Sequence, residues 1–482
     1  MIQRTLQILV LTFLSGGFLP FAHGEISANQ LPDFGDSSGA LISPVQEQAL
    51  GEAFMRSVRS QATLVTDPNI NSYIRQLGAR LVANSDTPNY PFTFFVVDDP
   101  SINAFAGPGG RIGVHTGLLL AAENESELAG VMAHEIAHVT QRHLLRAYES
   151  AQQLSLPTAA ATIAAILLGV ATGSSNAGIA AASAVQAGSI QQQLNFTRAN
   201  EKEADRIGIQ TLARSGIDPF GMPAFFERLY QTTRLYGTAS IPEFLSTHPV
   251  TTDRIAESTD RAGKYGHTKR RDTLEFELAK VRLAVQQSRN PGSLLRSINA
   301  DAGPAQRYGL ALIYWRIGDK TRALKQIAIL RSSDPDRILY RTTQARLLLE
   351  DGKTRKALRL FEDAQRLYPG DVVVGQYYAE ALLIANKPAK ARNVILALLR
   401  DEHARTPPIY KLWARATSKN GPAWETRFAS AELYSLGGNL PLAIDQLEQA
   451  LRLKGLNDYD RARIQAKLHD FKSLLAKHAE RE

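Results

Sequence analysis

Two histidines four residues apart, His134 and His138, lie in a stretch whose composition leaves little room for anything but a helix. From Glu125 to His143 there is no proline and one glycine, Gly130, and Leu128, Val131, Met132, Ile136 and Val139 recur at helical spacing. Residues four apart share a helix face, so both imidazoles can reach one metal ion while Glu135 can touch a water on that ion. The pattern H-E-x-x-H therefore points to zinc chemistry. Zinc that activates water needs a third protein ligand and an open fourth position. The chain must fold a second, ligand-bearing element against this helix.

Two sources for that ligand can be tested. A close-following third histidine would require Gly at 141 and His at 144, where the chain has Gln141 and Leu144. His143, on a continuous helix, would point about 140° away from His138 and is expected at the surface or behind the ligands. The remaining source is a later helix, Asn200 to Arg214, in which Glu201 and Asp205 share a face. Glu201 could bind zinc while Asp205 accepts the other N–H of a ligand histidine and orients it. Glu203 points to a different face. The competing explanation, a chance H-E-x-x-H on a charged helix, leaves the paired acidic helix without a reason.

The N-terminus reads as an export signal: Arg4, an apolar run from Ile8 to Phe21, then Ala22-His23-Gly24. The basic start, the short apolar stretch and the small residues at −3 and −1 predict cleavage after Gly24 and a periplasmic location. With no cysteine there is neither a disulfide framework nor a lipid-attachment site. Residues 1–270 carry 19 Lys+Arg against 23 Asp+Glu, a net of −4, and residues 271–482 carry 36 against 24, a net of +12. A basic half suits nucleic acid, anionic membrane or acidic proteins, and export argues against nucleic acid.

After an arm over residues 25–43, helices are expected from Pro44 to Gln61 and from Asn69 to Asn84. Phe92–Val97 and Arg111–His115 read as strands around the turn Gly107-Pro-Gly-Gly110. Asn103, Ala104, Phe105 and Ala106 are candidates for an edge to which an extended peptide could pair, with an ordinary packed hairpin as the alternative. Ser150 to Thr197 contains no charged residue. Its two alanine-rich halves are each too short to span a bilayer, and a helical hairpin packed over the site as a lid is expected, or else a segment in peripheral contact with membrane. Further on, Pro249 pushes His248 out of helix, presenting its ring. The first domain, 44–268, is expected to close there.

Beyond it the sequence repeats. Gly318, Ala323, Ile327 and Pro335 recur 34 residues later as Gly352, Ala357, Phe361 and Pro369. This is the period of tetratricopeptide (TPR) helix pairs. Ala391, Ile395 and Leu398 continue it, but the next match, Gly438 to Ala443, comes 18 residues late, with Pro407-Pro408 and Gly421-Pro422 interrupting. The region 269–482 is thus read as a TPR domain closed by a polar helix from Tyr459 to Lys477.

His134-Glu-x-x-His138, Glu201-x-x-Ala-Asp205 and His248-Pro, preceded by Asn103-Ala-Phe-Ala and Gly109-Gly-x-Ile, resemble the metallopeptidases that include the CAAX prenyl endopeptidase and bacterial heat-shock membrane proteases. With an export signal and C-terminal TPRs, the chain is similar to periplasmic members of that family. The resemblance implies an α+β zincin-type metalloprotease domain, mostly helical with a small sheet, followed by an all-α TPR superhelix. It implies one Zn2+ per chain held by His134, His138 and Glu201, Asp205 behind them, and Glu135 as the base of a zinc endopeptidase. It also implies stalled or unfolded outer-membrane β-barrel proteins as clients, a chaperone-like role, and the barrel-assembly machinery as partner. His248 would lie near the metal, as an oxyanion donor or, preferred here, as a fourth ligand that keeps the enzyme latent, since a four-ligand site is closed. The alternative is a non-proteolytic TPR holdase with a structural metal.

Overall fold

The computed structural model describes residues 43–144, 156–168, 198–236, 242–268, 272–299 and 303–479. The expected signal peptide, nearly all of the arm and the second half of the uncharged segment lie outside them. Proline starts the first helices as expected. Helix α1 (Pro44–Gln61) opens on a capping box between Ser43 and Gln46, and α2 (Pro68–Ala83) is capped by Asp67, which accepts from the N–H groups of Asn69 and Ile70.

Three strands follow: β1 (Thr93–Val97), β2 (Ala104–Gly107) and β3 (Arg111–His115), in the order β1-β3-β2. The hairpin is β2–β3, turned by Gly109 and Gly110 at φ of 65° and 71°, whereas β1 runs parallel to β3. The edge therefore belongs to the Ala104–Gly107 segment. His115 N–H donates to the Asn103 carbonyl, so 103, 105 and 107 bond across to β3, while Ala104 and Ala106 turn their N–H and C=O groups away from it.

After a short α3 (Thr116–Ala121), α4 (Glu125–Thr140) is the centre of the first core, buried continuously from Leu128 to His138. Helix α5 (Leu156–Leu167), the described part of the uncharged segment, buries Ala160, Ile163, Ala164 and Leu167 beside Phe54 of α1 and Phe105 of β2. The expected hairpin is thus seen only in its first half, packed on α1 and alongside the edge strand. Helices α6 (Arg198–Arg214) and α7 (Gly221–Tyr236) close the core over α4. Two glycines allow this: a Cβ at Gly208 would meet the His134 amide nitrogen at 3.2 Å, and one at Gly130 would meet the Met222 Cα at 2.9 Å. A five-residue helix α8 (Glu243–Thr247) and α9 (Thr252–Gly263) complete the layer. Among the described residues no helix is long and apolar enough to cross a membrane.

Helix α10 (Leu274–Gln287) belongs to two cores. Phe276, Ala279 and Leu283 enter the first, and Leu278 and Val285 enter that of the array. Helices α11 (Pro304–Arg316), α12 (Lys320–Ser333), α13 (Ile338–Glu350), α14 (Thr354–Leu367), α15 (Val372–Ile384) and α16 (Pro388–Leu398) form three TPR pairs. Gly318 and Gly352 turn between partners at φ of 86° and 73°, and Asn386 takes the corresponding place at 52°. The 18 late residues form no break: they supply one extra helix, α17 (Pro407–Asn420), with Trp413 buried. The prolines start helices here, Pro407 in the first turn of α17 and Pro422 capping α18 (Ala423–Leu436). Helices α19 (Leu440–Leu451) and α20 (Asp458–Ala479) end the array, α20 burying Ile464 and Phe471. The array returns to the first domain, where Asn69 donates to the Tyr377 hydroxyl and Arg59 to the Leu436 carbonyl.

Candidate metal centre

Burial of α4 on every side carries His134, Glu135 and His138 into the protein with under 2% of their surface exposed. The contact at Gly208 lays α6 across the same turn, so Glu201 and Asp205 face the histidines. His248, at the C-cap of α8 with φ −125° and ψ 79°, completes the group, its ring stacked on Phe244 and its N–H donating to the Phe244 carbonyl. One ligand atom from each of His134, His138, Glu201 and His248 lies within 4.8 Å of all the others.

Two of the six edges of this group are 3.0 Å, between the two Nε2 atoms of His134 and His138, and 3.3 Å, from His134 Nε2 to His248 Nδ1. Glu201 Oε1 is 3.0 Å from His248 Nδ1 and 3.4 Å from His138 Nε2. Donors about 2.0–2.1 Å from a tetrahedral ion stand roughly 3.3 Å apart, so these spacings fit a metal ion. So does the chemistry behind them. Asp205 Oδ1 faces His134 Nδ1 at 2.9 Å, and His143 Nδ1 lies 2.8 Å from His138 Nδ1. With both Nδ1 atoms engaged, the Nε2 lone pairs confront each other, which only a cation or a shared proton makes favourable. Three nitrogens and a carboxylate are a donor set for a borderline ion such as zinc.

Burial alone would lower His134, but its contacts with Asp205 and Glu201 outweigh it and raise the ring to about 9. Burial dominates at His138 and holds it well below the usual imidazole range. Burial would raise Glu201, yet the surrounding histidines, His248 foremost, hold it well below the carboxylate range. Glu135 goes the other way: burial raises it, and one of its oxygens accepts from the Ala106 N–H of the edge strand. His248 Nε2 lies 3.5 Å from Glu135 Oε1.

The structure thus brings together His134, His138, Glu135, Glu201, Asp205 and His248, with Ala106 on the same side. Asn103, buried, precedes the strand, and Phe105 packs away into the Phe54–Phe95 cluster. His143 takes the second of its two expected places, behind a candidate ligand, but by a turn and not on a continuous helix. It is buried against His138, because α4 stops at Thr140 and Arg142 adopts φ 55°, turning the chain back. Sequence reasoning missed Arg254. Its guanidinium binds Asp205 through two 2.8 Å bonds, faces Glu201 Oε2 at 2.8 Å, and donates to the Pro249 carbonyl at 2.8 Å. Its place in the first turns of α9 carries no local mark of this.

Residues 68–262 match Peptidase family M48, and residues 348–416 match a tetratricopeptide repeat family. The beta-barrel assembly-enhancing protease of Escherichia coli (strain K12) is 34% identical over 455 residues, 93% of this chain and 92% of that one. A Vibrio cholerae relative is 38% identical over 449 residues, 91% of each chain. The chain belongs to the beta-barrel assembly-enhancing protease family. As a member it is a metalloendopeptidase, and its buried His-His-Glu-His group could hold a metal ion. The mitochondrial metalloendopeptidase OMA1 of Danio rerio is 30% identical over 212 residues, 43% of each chain.

Proposed function

We propose that the ion is zinc, one per chain, that His134, His138 and Glu201 are its permanent ligands, and that His248 is a removable fourth. The observation that carries this reading is the position of His248 Nδ1, 3.0 Å from Glu201 and 3.3 Å from His134 Nε2, at the vertex a catalytic water would need. When bound, zinc supplies a Lewis acid that lowers the pKa of a water towards about 7 and polarises the scissile carbonyl. Asp205 holds His134 with its Nε2 bare, and Arg254, together with His134, holds Asp205 ionised. Glu135 takes the proton of the attacking water and returns it to the leaving amine; burial, by raising its pKa, suits it to the second of these tasks. The outward N–H and C=O of Ala104 and the outward C=O of Ala106, whose N–H is engaged by Glu135, hold an extended substrate as an added strand. Phe244 N–H already donates to the Ile102 carbonyl, the next outward position, so the helix bearing His248 is docked on the line the substrate would follow.

The biological reading follows from the relatives' name and the expected export signal: a periplasmic protease that removes misassembled or stalled outer-membrane β-barrel proteins and assists their assembly. The TPR array would hold clients or the assembly machinery, its excess positive charge favouring acidic surfaces. A holdase with a purely structural metal would leave the buried Glu135, raised and set against the edge strand, without a task.

The test is digestion of casein and of an unfolded outer-membrane barrel by the full-length protein and by His248→Ala, each with and without a zinc chelator. Chelator-sensitive cleavage that rises in His248→Ala is expected. Slower cleavage in that variant refutes latency and leaves His248 as an oxyanion donor, and cleavage indifferent to chelator refutes the metal site.

A further inference from the structure

His138 has a partner of its own on the side away from the ligand group, and the chain is bent to provide it. His143 Nδ1 lies 2.8 Å from His138 Nδ1, and His143 Nε2 lies 3.2 Å from Glu203 Oε2. A carboxylate can only accept, so Nε2 of His143 carries the proton in that bond; in the neutral ring Nδ1 is then bare, and the proton between the two rings belongs to His138 Nδ1. The order Glu203, His143, His138 thus fixes His138 with Nε2 as its lone-pair donor. Direct contact with Asp205 does the same for His134, so the two helix ligands are oriented by unlike devices.

We infer that His143 and Glu203 are positioning residues for the metal centre, His143 by accepting the His138 Nδ1–H and Glu203 by setting the His143 tautomer, an inference resting on the reading of His138 as a ligand. Three observations support it. Arg142 is one of only two non-glycine residues at positive φ among those described, a conformation that costs an L-residue on the order of 1 kcal/mol. The segment is secured on both sides, by the Arg142 contact with Glu47 at 3.4 Å and by burial of Leu144 with Phe54 and Phe105. His143 itself has a fully buried side chain, and Glu203 is a third exposed, so the pair runs from solvent to the ligand. A surface histidine following a helix would need neither the turn nor the burial.

The experiment measures Zn2+ affinity of the full-length protein by competition with a chromophoric chelator, for wild type, His143→Phe, His143→Gln and Glu203→Ala. It adds the visible spectrum of the Co2+-substituted proteins and ring 15N shifts of labelled histidines. His143→Phe keeps the bulk and removes the acceptor, and is expected to weaken binding ~10–100-fold. His143→Gln, whose amide oxygen can accept from His138 and whose NH2 can donate to Glu203, is expected to recover most of that loss. Glu203→Ala, at a partly exposed position that leaves the fold intact, should weaken binding several-fold and alter the Co2+ spectrum. Equal affinity in wild type and His143→Phe, or a Gln variant as weak as Phe, overturns the inference. Should the Phe variant not fold, an unchanged Glu203→Ala does so. Wild-type protein that binds no zinc, or a His138→Ala variant that binds it normally, refutes the ligand reading instead.

Discussion

Replacing Arg254 with Met should be the most damaging single change near the centre that leaves every proposed ligand of the metal in place. The guanidinium is 3% exposed and answers two carboxylates that are themselves almost wholly buried, Asp205 by two bonds and Glu201 by one, besides the Pro249 carbonyl. Methionine retains most of the stem and removes the charge, leaving two buried carboxylates side by side. Removing one partner of a buried ion pair costs about 3–5 kcal/mol, and the unanswered carbonyl about 1–3 kcal/mol more if no water reaches it. The pH dependence identifies the cause. In wild type Asp205 is held below its ordinary value, so its contribution is present above pH ~3.8 and is lost as pH falls through its lower folded value. In the variant burial acts on Asp205 with only the His134 contact left to oppose it, and raises that carboxyl. The folded state then takes up protons that the unfolded state has released, and stability falls as pH rises. The penalty should therefore be larger at pH 8 than at pH 5. Urea unfolding of metal-free protein, followed by circular dichroism at the two pH values, measures it. A loss under about 1 kcal/mol, or one that does not shrink at pH 5, would refute the assignment of Arg254 as the counter-charge.

Glu135→Gln should lower peptide cleavage by ~10²–10⁴-fold while zinc stoichiometry stays at one, and near-normal turnover would exclude Glu135 as the base. Ala104→Pro removes one outward N–H of the edge strand, where proline is tolerated. A net loss of about 1 kcal/mol predicts a roughly fivefold drop in kcat/KM on an unfolded substrate, measured in the His248→Ala background, and no drop would remove Ala104 from substrate pairing. Arg282→Met severs α10 from α2, where Arg282 donates to Asp67 at 2.9 and 2.6 Å and to the hydroxyls of Tyr308 and Tyr377. It should cost ~3–5 kcal/mol, part of it recovered by Asp67→Asn in the double variant, and strict additivity of the two changes would show that they do not act on one another.

What the sequence made legible was local, or was repeated. His134 and His138 announce a shared helix face by their spacing, Glu201 and Asp205 do the same, and Pro249 marks His248 as outside a helix. The 34-residue period exposes the array because each helix pair reports the same small and large positions. What escaped depends on where the chain meets itself. The turn at Arg142 decides whether His143 faces solvent or His138, and arginine at that position carries no mark of positive φ. Arg254 reaches Asp205 across 49 residues, by a docking that no periodicity encodes. The parallel pairing of β1 with β3 was hidden for the same reason, since strands of matching pattern can pair either way. Nor does α10 look divided, yet Phe276 and Leu278, two residues apart, point into different cores.

The four candidate donors are not held alike, and the difference bears on how a latent site would open. His134, His138 and Glu201 ride on helices of 16 and 17 residues locked together at Gly208, so moving any of them means unpacking the core. His248 sits at the end of a five-residue helix. Even there Phe244 is fully buried, Glu243 accepts from Ser101 at 2.9 Å, and Phe244 N–H is bound to Ile102. Dissolving α8 would give up all three, whereas a rotation about the backbone between Thr247 and Val250 gives up chiefly the contacts of the His248 ring and the bond from Arg254 to the Pro249 carbonyl. The second route is the less costly, because one charge-assisted hydrogen bond is worth less than burial of a phenylalanine together with two hydrogen bonds. Release of His248 is therefore expected to be a local swing governed at Pro249. Arg254, the residue that pairs with Asp205 behind the ligands, also holds that swing in check.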